Sequence, residues 1–339
     1  MKIGRLERLI LFGGGRLLVE AAKAARRRGL EVYVFAVRRH LEEKLDGDLR
    51  LKDFLAKEKI AYFETKDVNR AKEFSSLVSA KTMGLGFGEE YTFDQKTIDL
   101  FKGKLFDFMV IKLPQYRGGA HFTWQILRQD RQGAWNVQVI NAEMVQSVFD
   151  SGEILKTKLY KIPRAARLPQ DYFRVSEREG LKFFIEFLAE IKAGRDFKLR
   201  RLAEKRSLYL PRLFTLKHGF INWDWNLAEI ESFVCAFDEP YPGASTFLND
   251  KRVVIKACTA GRPDGKFHPF IAGLIYRIFK GVVHIAVRDG TLLAKQVLDG
   301  KGRNIVGELK PGDRFYTPLK YLEAARLFNA QYDSEGLKT

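Results

Sequence analysis

Cysteine and histidine are scarce in this sequence, and their positions exclude the common metal sites. The chain has two cysteines, Cys235 and Cys258, and five histidines. The cysteines have neither the number nor the spacing of a zinc site, and no two histidines form a metal-type pair. We therefore predict no bound metal. Two cysteines also fit a reducing compartment.

Long hydrophobic runs are absent as well. No apolar stretch approaches the roughly 20 residues that a membrane-spanning helix needs. The opening residues, MKIGRLERLILFGGG, combine basic side chains with a short apolar run, but no small-residue cleavage site follows. We therefore predict no membrane span, and we interpret the apolar run as the first core strand of a cytoplasmic protein.

Acidic residues are in the minority: 42 stand against 59 basic residues, which gives a formal net charge of +17. Such an excess favours polyanionic partners, such as nucleic acid or phosphorylated small molecules. An evenly solvated basic surface explains the charge equally well. The only tight basic cluster, RRR at 26–28, ends a predicted helix, where cations complement the helix dipole. Binding to nucleic acid therefore stays an alternative.

The length of 339 residues predicts two domains, because it exceeds what one hydrophobic core usually holds. An apolar run at 6–12, a strong helix pattern at 16–28 and a second apolar run at 31–37 form a βαβ pattern, which predicts a parallel sheet. We therefore predict an α/β, Rossmann-like domain over residues 1–205. Further along, Ser176 and Glu179 match a capping box that would begin a long helix. Gly29 and Gly194 stand in the usual stop positions of the first helix and of this long one.

After about residue 208 the pattern changes to short alternating strands separated by glycine and proline turns. This pattern predicts a small β-barrel-like domain over residues 206–339. One helix is clear in it, within NWDWNLAEIESFVCAF, with Asn222 or Asp224 near its start.

Two glycine groups raise the question of a ligand. The run at 13–15 resembles the start of a dinucleotide-binding turn, but Leu18 stands where the third glycine of that pattern belongs, so we favour a plain chain reversal. Gly84, Gly86 and Gly88 alternate along the chain. They indicate either a loop or a strand edge whose backbone lies against a flat ligand, because glycine permits close approach.

Four stretches carry a family resemblance: KLPQYRGG at 112–119, FDSGEIL at 149–155, and then AFDEPYPGASTF and FHPFIAGLIYR. In this order they resemble the folate-dependent formyltransferases, and more closely the amino-sugar N-formyltransferases than the methionyl-tRNA formyltransferases. The resemblance runs from about residue 6 to 320. It implies 10-formyltetrahydrofolate as cofactor, an amino-sugar nucleotide as substrate, a sugar-modifying pathway and, as an open question, a homodimer.

The resemblance also implies three polar catalytic residues, of which this chain keeps one. The family carries an Asn-x-His pair shortly before its Leu-Pro and an Asp in a DTG-like turn. Counting back from Leu113-Pro114 places Asp107 at the Asn position and Met109 at the His position. Asp150 in FDSGEIL matches the distal acid.

The chemistry of the family shows why these replacements matter. An amine attacks the formyl carbon, and negative charge develops on the formyl oxygen. Loss of one donor to such an oxyanion typically costs ~10²–10³-fold in rate, and a placed general base contributes ~10²–10⁴-fold. Met109 can supply neither, and an ionised Asp107 adds a second negative charge. We therefore expect weak or no ordinary formyl transfer, although a protonated Asp107 could donate to the oxyanion.

Other residues leave alternatives open. His121, in RGGAHF, is either a relocated base of an active transferase or an ordinary loop histidine. Arg117 holds either a phosphate or its own loop. A third hypothesis is a non-catalytic module that binds nucleic acid or protein. The residues that we predict to bind the cofactor are Gly86, Phe87, Gly88, Arg117 and Gly118.

Overall fold

The computed structural model describes residues 1–88, 91–141, 152–333 and 336–337, so Asp150 lies outside the described residues. In the first domain, strands alternate with helices along the chain. The elements are β1 Arg8–Gly13, α1 Gly15–Arg26, β2 Glu31–Ala36, α2 Arg38–Leu41, β3 Lys44–Asp46, β4 Leu49–Arg50, α3 Leu51–Lys57, β5 Ala61–Glu64, α4 Phe74–Leu77, β6 Thr82–Phe87, α5 Gln95–Leu100, β7 Leu105–Met109, β8 Arg117–Gly118, α6 His121–Leu127, β9 Gln132–Val139, β10 Ile154–Lys161 and α7 Pro169–Lys192.

Seven of these strands form one twisted sheet in the order β10-β9-β7-β6-β1-β2-β5. The five strands from β7 to β5 are parallel, whereas β9 and β10 run antiparallel to their neighbours. Along the chain, β2 and β5 are added on one side of β1, and β6 is then added on its other side. Ligands of doubly wound sheets bind outside the carboxyl ends of the strands at such a reversal. The predicted Rossmann-like α/β fold is confirmed.

The two faces of the sheet have different cores. One face packs against α1 and α7, and its strands contribute Leu9, Leu11, Phe106 and Phe108. The other face carries a smaller aromatic cluster, which includes Ile10, Phe12, Phe35, Phe74, Phe93, Phe101 and Leu105. Because side chains alternate along a strand, each residue of β6 and β7 can be assigned to one of these faces.

Strand β6 lies in the middle of the sheet, so the loop interpretation of its glycines is wrong for residues 82–87. Gly84 and Gly86 alternate with Met83 and Leu85, which are buried in the larger core, and therefore fall on the face with the smaller cluster. A Cβ atom on Gly84 would lie 2.5 Å from Leu105 Cδ1, so the Leu105 side chain occupies the space that a side chain at Gly84 would need.

The triple-glycine turn after β1 is closed by the protein's own side chains. A Cβ on Gly14 would lie 2.8 Å from His40 Cβ, and burial lowers the pKa of His40 to about 4. Glu43 accepts a hydrogen bond from the Gly15 backbone at the start of α1, and burial raises the pKa of that carboxyl. A carboxyl group thus occupies the helix N-terminus where a dinucleotide phosphate would bind, which agrees with a plain chain reversal.

Helix α7 begins earlier than the predicted capping box. Its first residue is Pro169, and the Asp171 carboxylate accepts hydrogen bonds from the backbone N–H groups of Arg167 and Leu168 at 2.9 and 3.1 Å. Ser176 lies inside the helix, where its hydroxyl accepts a 2.9 Å hydrogen bond from Tyr160. The capping box is therefore wrong: its Ser-x-x-Glu spacing recurs inside helices, and the true start is marked by Pro169 and Asp171.

The second half of the chain contains a five-stranded antiparallel sheet in the order β12-β13-β16-β15-β14. Its elements are β11 Tyr209–Leu210, α8 Thr215–His218, α9 Leu227–Ala236, β12 Ala244–Leu248, β13 Lys251–Gly261, β14 Ile275–Phe279, β15 Val282–Val287, β16 Gly290–Leu298, α10 Leu319–Leu327, β17 Tyr332–Asp333 and β18 Gly336–Leu337.

The segment at 314–316 bridges to both edges of this sheet, which gives the domain its barrel-like form. Phe247 of edge strand β12 bridges to Tyr316, and Leu274, just before edge strand β14, bridges to Arg314. Helix α9 is capped by Asn226, so neither Asn222 nor Asp224 is the N-cap. Helices α8 and α10 were not predicted. The division of the chain at 205/206 stays a prediction.

Side chains tie the two halves together at several points. Arg167, just before α7, donates to Glu231 Oε1 on α9 at 2.6 Å and to the carbonyl oxygen of Cys258 on β13 at 2.8 Å.

Nowhere in the described part of the chain is a helix long and apolar enough to cross a membrane. Among the same residues, no three His, Cys, Asp or Glu side chains are grouped as metal ligands.

The contact between Gly14 and His40 makes a specific prediction. We expect Gly14→Ala to lower the free energy of unfolding by about 1–3 kcal/mol, because its Cβ overpacks against His40. In a His40→Gly background, which removes the His40 Cβ as well as the ring, the same change should cost less than about half as much. Urea denaturation of the four proteins measures this coupling. Gly307→Ala is the matched control, since nothing lies within 4 Å of its Cβ position. Equal costs in both backgrounds would contradict the packing role.

Candidate functional site

A row of residues crosses the carboxyl half of the large sheet on the face with the smaller aromatic cluster. Phe12 of β1 pairs with Gly86 of β6, Gly86 pairs with Asp107 of β7, and Asp107 pairs with Gln138 of β9. Directly opposed residues in neighbouring strands point to the same face. Gly86, which has no side chain, therefore stands between Phe12 and Asp107 in this row.

A second row lies two residues nearer to the carboxyl edge. Met109, the last residue of β7, pairs with Asn136, and Asn136 pairs with Thr157 of β10. Met109 is buried, at 8% exposure, and Asn136 at 2%. Asn136 Nδ2 donates to the Ile111 carbonyl oxygen at 2.5 Å and its Oδ1 accepts from the Thr157 hydroxyl at 2.8 Å. This amide therefore fixes the chain where it leaves β7.

Gln138 has an incomplete set of hydrogen bonds. Its side chain is fully buried, and its Nε2 donates to the Gly152 carbonyl oxygen at 2.7 Å. Its Oε1 is buried and has no hydrogen-bond partner among the described residues. Buried acceptors are nearly always satisfied in folded proteins. Gln138 Oε1 thus marks a place where a donor from the site or from a ligand is needed.

Arg117 is committed to an ion pair. Its guanidinium group makes two parallel hydrogen bonds to Glu204, at 2.7 and 2.8 Å, and is buried at 5% exposure. The hydrogen bond from Arg117 lowers the pKa of Glu204. Of the two roles considered for Arg117, holding its own loop is the one that these contacts show. Its Nε is buried and has no hydrogen-bond partner among the described residues. A role in binding phosphate stays a prediction.

Gly118 and Gly119 allow the loop that carries Arg117 to lie close to residues 208–212. Strand β8 pairs in parallel with β11, so the 117–119 backbone lies against residues 208–212. A Cβ on Gly118 would lie 2.2 Å from the Leu210 carbonyl oxygen, and Gly118 has φ = +102°. A Cβ on Gly119 would lie 2.1 Å from Arg212 Cγ. Both glycines are thus required for close approach of another part of the chain.

His121 is the first residue of α6, after Ala120 in a left-handed conformation. Burial lowers the pKa of His121 to about 4, so the imidazole is neutral at pH 7. Its Nε2 is buried and has no hydrogen-bond partner in the described chain. The ring packs on Phe122 with centroids 4.1 Å apart. A neutral imidazole can accept a proton, but this environment disfavours the charged form.

The predicted cofactor-binding residues fall into two groups. Gly86 lies in the row with Asp107, and Gly88 follows at the carboxyl edge with φ = +61° and open space at its Cβ position. Phe87 points to the opposite face, where its ring contacts Phe108 and Phe184. Only the backbone of Phe87 can therefore meet a ligand beside Gly86. Arg117 and Gly118 lie in the separate contact with residues 204–212.

Sequence reasoning missed the two buried amides on β9. The stretch WNVQV alternates apolar and polar residues, and this period-two pattern places Asn136 and Gln138 on one face of a strand. The pattern was therefore available as a signal. The pattern could not predict that these amides lie beside Met109 and Asp107, because pairing between strands distant in sequence depends on the fold.

Comparison with known proteins adds independent findings. Residues 215–308 match the family described as formyl transferase, C-terminal domain. Methionyl-tRNA formyltransferase from Prochlorococcus marinus (strain MIT 9515) is 23% identical over 290 residues, which cover 78% of this chain and 85% of that protein.

Two solved structures are similar along most of their length. An N-formyltransferase from Helicobacter canadensis, in complex with folinic acid and dTDP-3-aminofucose, has a TM-score of 0.64 and 15% identity over 86% of this chain and 99% of its own. WlaRD, a sugar 3N-formyl transferase, has a TM-score of 0.62 and 18% identity over 86% and 98%. These two likenesses show that the chain shares their fold. The C-terminal domain match and the methionyl-tRNA formyltransferase relative agree with the family resemblance that the sequence motifs indicated.

Proposed function

We propose that this chain is a folate-dependent formyltransferase-family protein that binds an amino-sugar nucleotide and whose ordinary formyl transfer is weak or absent. The observation that carries the proposal is the pair Asp107 and Met109 on β7, at the carboxyl edge of the sheet beside Gly86. The family resemblance places an amide and an imidazole at these two positions.

The residues around Asp107 fit a flat polar group. Gly86 presents no side chain between Phe12 and Asp107, and Gln138 Oε1 lacks a donor among the described residues. A flat ring with N–H groups could lie against the Gly86 backbone and donate to that acceptor. The folinic acid and dTDP-3-aminofucose in the Helicobacter canadensis complex support a folate-type cofactor and an amino-sugar nucleotide here.

The chemistry that the site supplies follows from its side chains. 10-Formyltetrahydrofolate, when bound, provides the formyl carbon that the substrate amine attacks. Met109 is apolar and can neither donate to a developing oxyanion nor accept a proton from the amine. The Asn136 amide beside it already donates to Ile111 and accepts from Thr157. The described residues of the site therefore supply apolar groups and hydrogen-bond acceptors, and few hydrogen-bond donors are available to stabilise the formyl oxygen.

Cofactor binding can be tested apart from catalysis. We expect 5-formyltetrahydrofolate to bind in the micromolar range by calorimetry, and Gly86→Val to weaken binding at least about tenfold because the new side chain would keep the ligand away from the backbone at this position. Gly307→Val is the control, since its Cβ position is open and lies in the second domain. If the parent protein does not bind detectably at millimolar ligand, folate chemistry is ruled out for this chain.

Restoring the missing groups tests the cause of weak catalysis. We expect Asp107→Asn combined with Met109→His to raise formyl transfer to a dTDP-amino sugar at least about 100-fold over the parent, because the pair returns a donor and a base to the cleft. Asp99→Asn makes the same chemical change on exposed α5 and should have no effect. A parent that already matches the double variant, or a folded, folate-binding double variant without gain, contradicts the proposal.

A second candidate is an active transferase with His121 as base, favoured by its unpartnered, buried Nε2. Under this hypothesis His121→Ala abolishes turnover and leaves folate affinity unchanged, whereas His268→Ala, at an exposed position, has no effect. Because the pKa of His121 is lowered to about 4, the rate should stay level from pH 8 to about 5 and fall only below that. Full activity of His121→Ala would refute this candidate.

A further inference from the structure

The sequence has only two cysteines, and the fold brings them together. Cys235 lies on α9 and Cys258 on β13, and both are free thiols, buried at 4% and 2% exposure. Their side chains are hydrogen-bonded to each other. One nitrogen atom also reaches both residues: Arg167 Nη2 donates to Cys235 Sγ at 3.4 Å and to the Cys258 carbonyl oxygen at 2.8 Å. Two thiols in contact can be joined as a disulfide.

The two thiols have different environments. The hydrogen bond with Cys258 lowers the pKa of Cys235, and the Arg167 guanidinium acts in the same direction. Burial and the carboxyl groups of Glu231 and Asp238 oppose this effect. The same hydrogen bond, together with burial, raises the pKa of Cys258. Because the thiolate is the nucleophile, Cys235 is the thiol that reacts first, and Cys258 is the one that completes the bond.

A cavity of about 260 Å³ opens beside the pair, and its lining includes Glu231 of α9 and Ala260 of β13. Residues four apart on a helix are neighbours on its surface, so Glu231 lies on the side of α9 that carries Cys235. Alternate residues of a strand share a face, so Ala260 and Cys258 point to the same side of β13. The cavity therefore lies on the side of both elements that carries the thiols.

Arg167 connects the wall of this cavity with the thiols. Glu231 Oε1 accepts from Arg167 Nη2 at 2.6 Å and from the Ala260 backbone N–H at 2.8 Å. The nitrogen that contacts this oxygen is the one that contacts Cys235 Sγ. A small molecule in the cavity thus lies one guanidinium contact away from the more reactive thiol.

We propose that Cys235 and Cys258 form a reversible disulfide when a small hydroperoxide enters this cavity, so that the pair is an oxidation-sensitive link between α9 and β13. The Cys235 thiolate attacks one peroxide oxygen, the O–O bond breaks, and the departing hydroxide takes a proton and leaves as water. The Cys258 sulfur then attacks the sulfenic acid at Cys235, the S–O bond breaks, and a second water leaves with the Cys258 proton. Two thiols are oxidised to one disulfide, and one peroxide is reduced to two waters.

The disulfide acts at the junction between the two halves of the chain. Arg167 precedes α7 of the first domain, and Cys235 Sγ is one of its acceptors on the second. Oxidation removes the thiolate that attracts the guanidinium group, while it fixes α9 to β13. It also closes a loop of about 20 residues, which limits the unfolded chain and should lower the unfolding constant about 100-fold. None of this depends on the proposed function.

Oxidation of the native protein by hydrogen peroxide tests the proposal. We expect both thiols, counted with a chromogenic disulfide reagent after denaturation, to disappear while the intact mass falls by two hydrogen atoms and the protein stays monomeric in mass. A digest without reductant should contain the peptides of Cys235 and Cys258 joined to each other. Dithiothreitol should restore both thiols. Oxidised protein should unfold in urea with a constant about 100-fold below that of reduced protein.

Single variants separate the roles of the two cysteines. Cys258→Ser should let the sulfenic acid accumulate at Cys235, where dimedone traps it, and Cys235→Ser should trap at least about tenfold less dimedone. Arg167→Met keeps the length of the side chain and removes its charge, and it should slow disulfide formation at least about tenfold. Arg164→Met, at an exposed position of the same loop, is the matched control and should leave the rate unchanged.

The route through the cavity has its own test. Ala228 also lines the cavity, so Ala228→Phe narrows it and should slow disulfide formation at least about threefold. Ala324→Phe, on an exposed part of α10, makes the same change away from the cavity and should have no effect. Equal rates in Ala228→Phe and the parent would refute this route.

Three outcomes overturn the disulfide itself. The native protein keeps both thiols under excess peroxide, it forms the disulfide only after urea has unfolded it, or Cys235 is carried on to the sulfinic acid while Cys258 stays free. All of these measurements are made without folate, so they leave the proposed function to be decided by its own experiments.

Discussion

The register of β7 between β6 and β9 is the constraint on which the candidate site depends. Phe106 and Phe108 point to the face covered by α7, where the Phe108 ring stacks on Trp135 at 4.8 Å and on Phe183 at 5.5 Å. A slip of one residue would turn these rings to the opposite face and place Asp107 in the core that packs against α7. The apolar packing on one face therefore fixes the polar row on the other.

The buried amides of this site lie on β9 and not on β7. Asp107 and Met109 occupy the positions at which the resemblance implies an amide and an imidazole, while the buried amides belong to Asn136 and Gln138, one strand further out. The Asn136 amide is bonded to backbone and hydroxyl groups that fix the exit of β7. It therefore contributes to the shape of the cleft, whereas Gln138 Oε1 has no hydrogen-bond partner among the described residues.

Local patterns in the sequence predicted the first βαβ unit and the ends of several helices. The helix that stops before Gly29 and the long helix that stops before Gly194 both end as predicted, since each glycine has a positive φ that ends a helix cheaply. The start of α7 was misplaced, because a Ser-x-x-Glu spacing inside a helix matches a capping box. Partners distant in sequence, such as Arg117 with Glu204, leave no local signal at all.

The RGG motif shows how a family pattern can be kept for a structural reason. Gly118 has no room for a side chain because the Leu210 carbonyl oxygen lies where its Cβ would be, and Arg117 pairs with Glu204. Trp124 Nε1 also donates to the Pro211 carbonyl oxygen at 2.9 Å. The loop after β7 is thus fastened to the segment that leads into the second domain. Because Met109 is the last residue of β7 and directly precedes that loop, the position of the cleft wall depends on the docking of that segment. A role for the motif in ligand binding is not needed to explain its glycines.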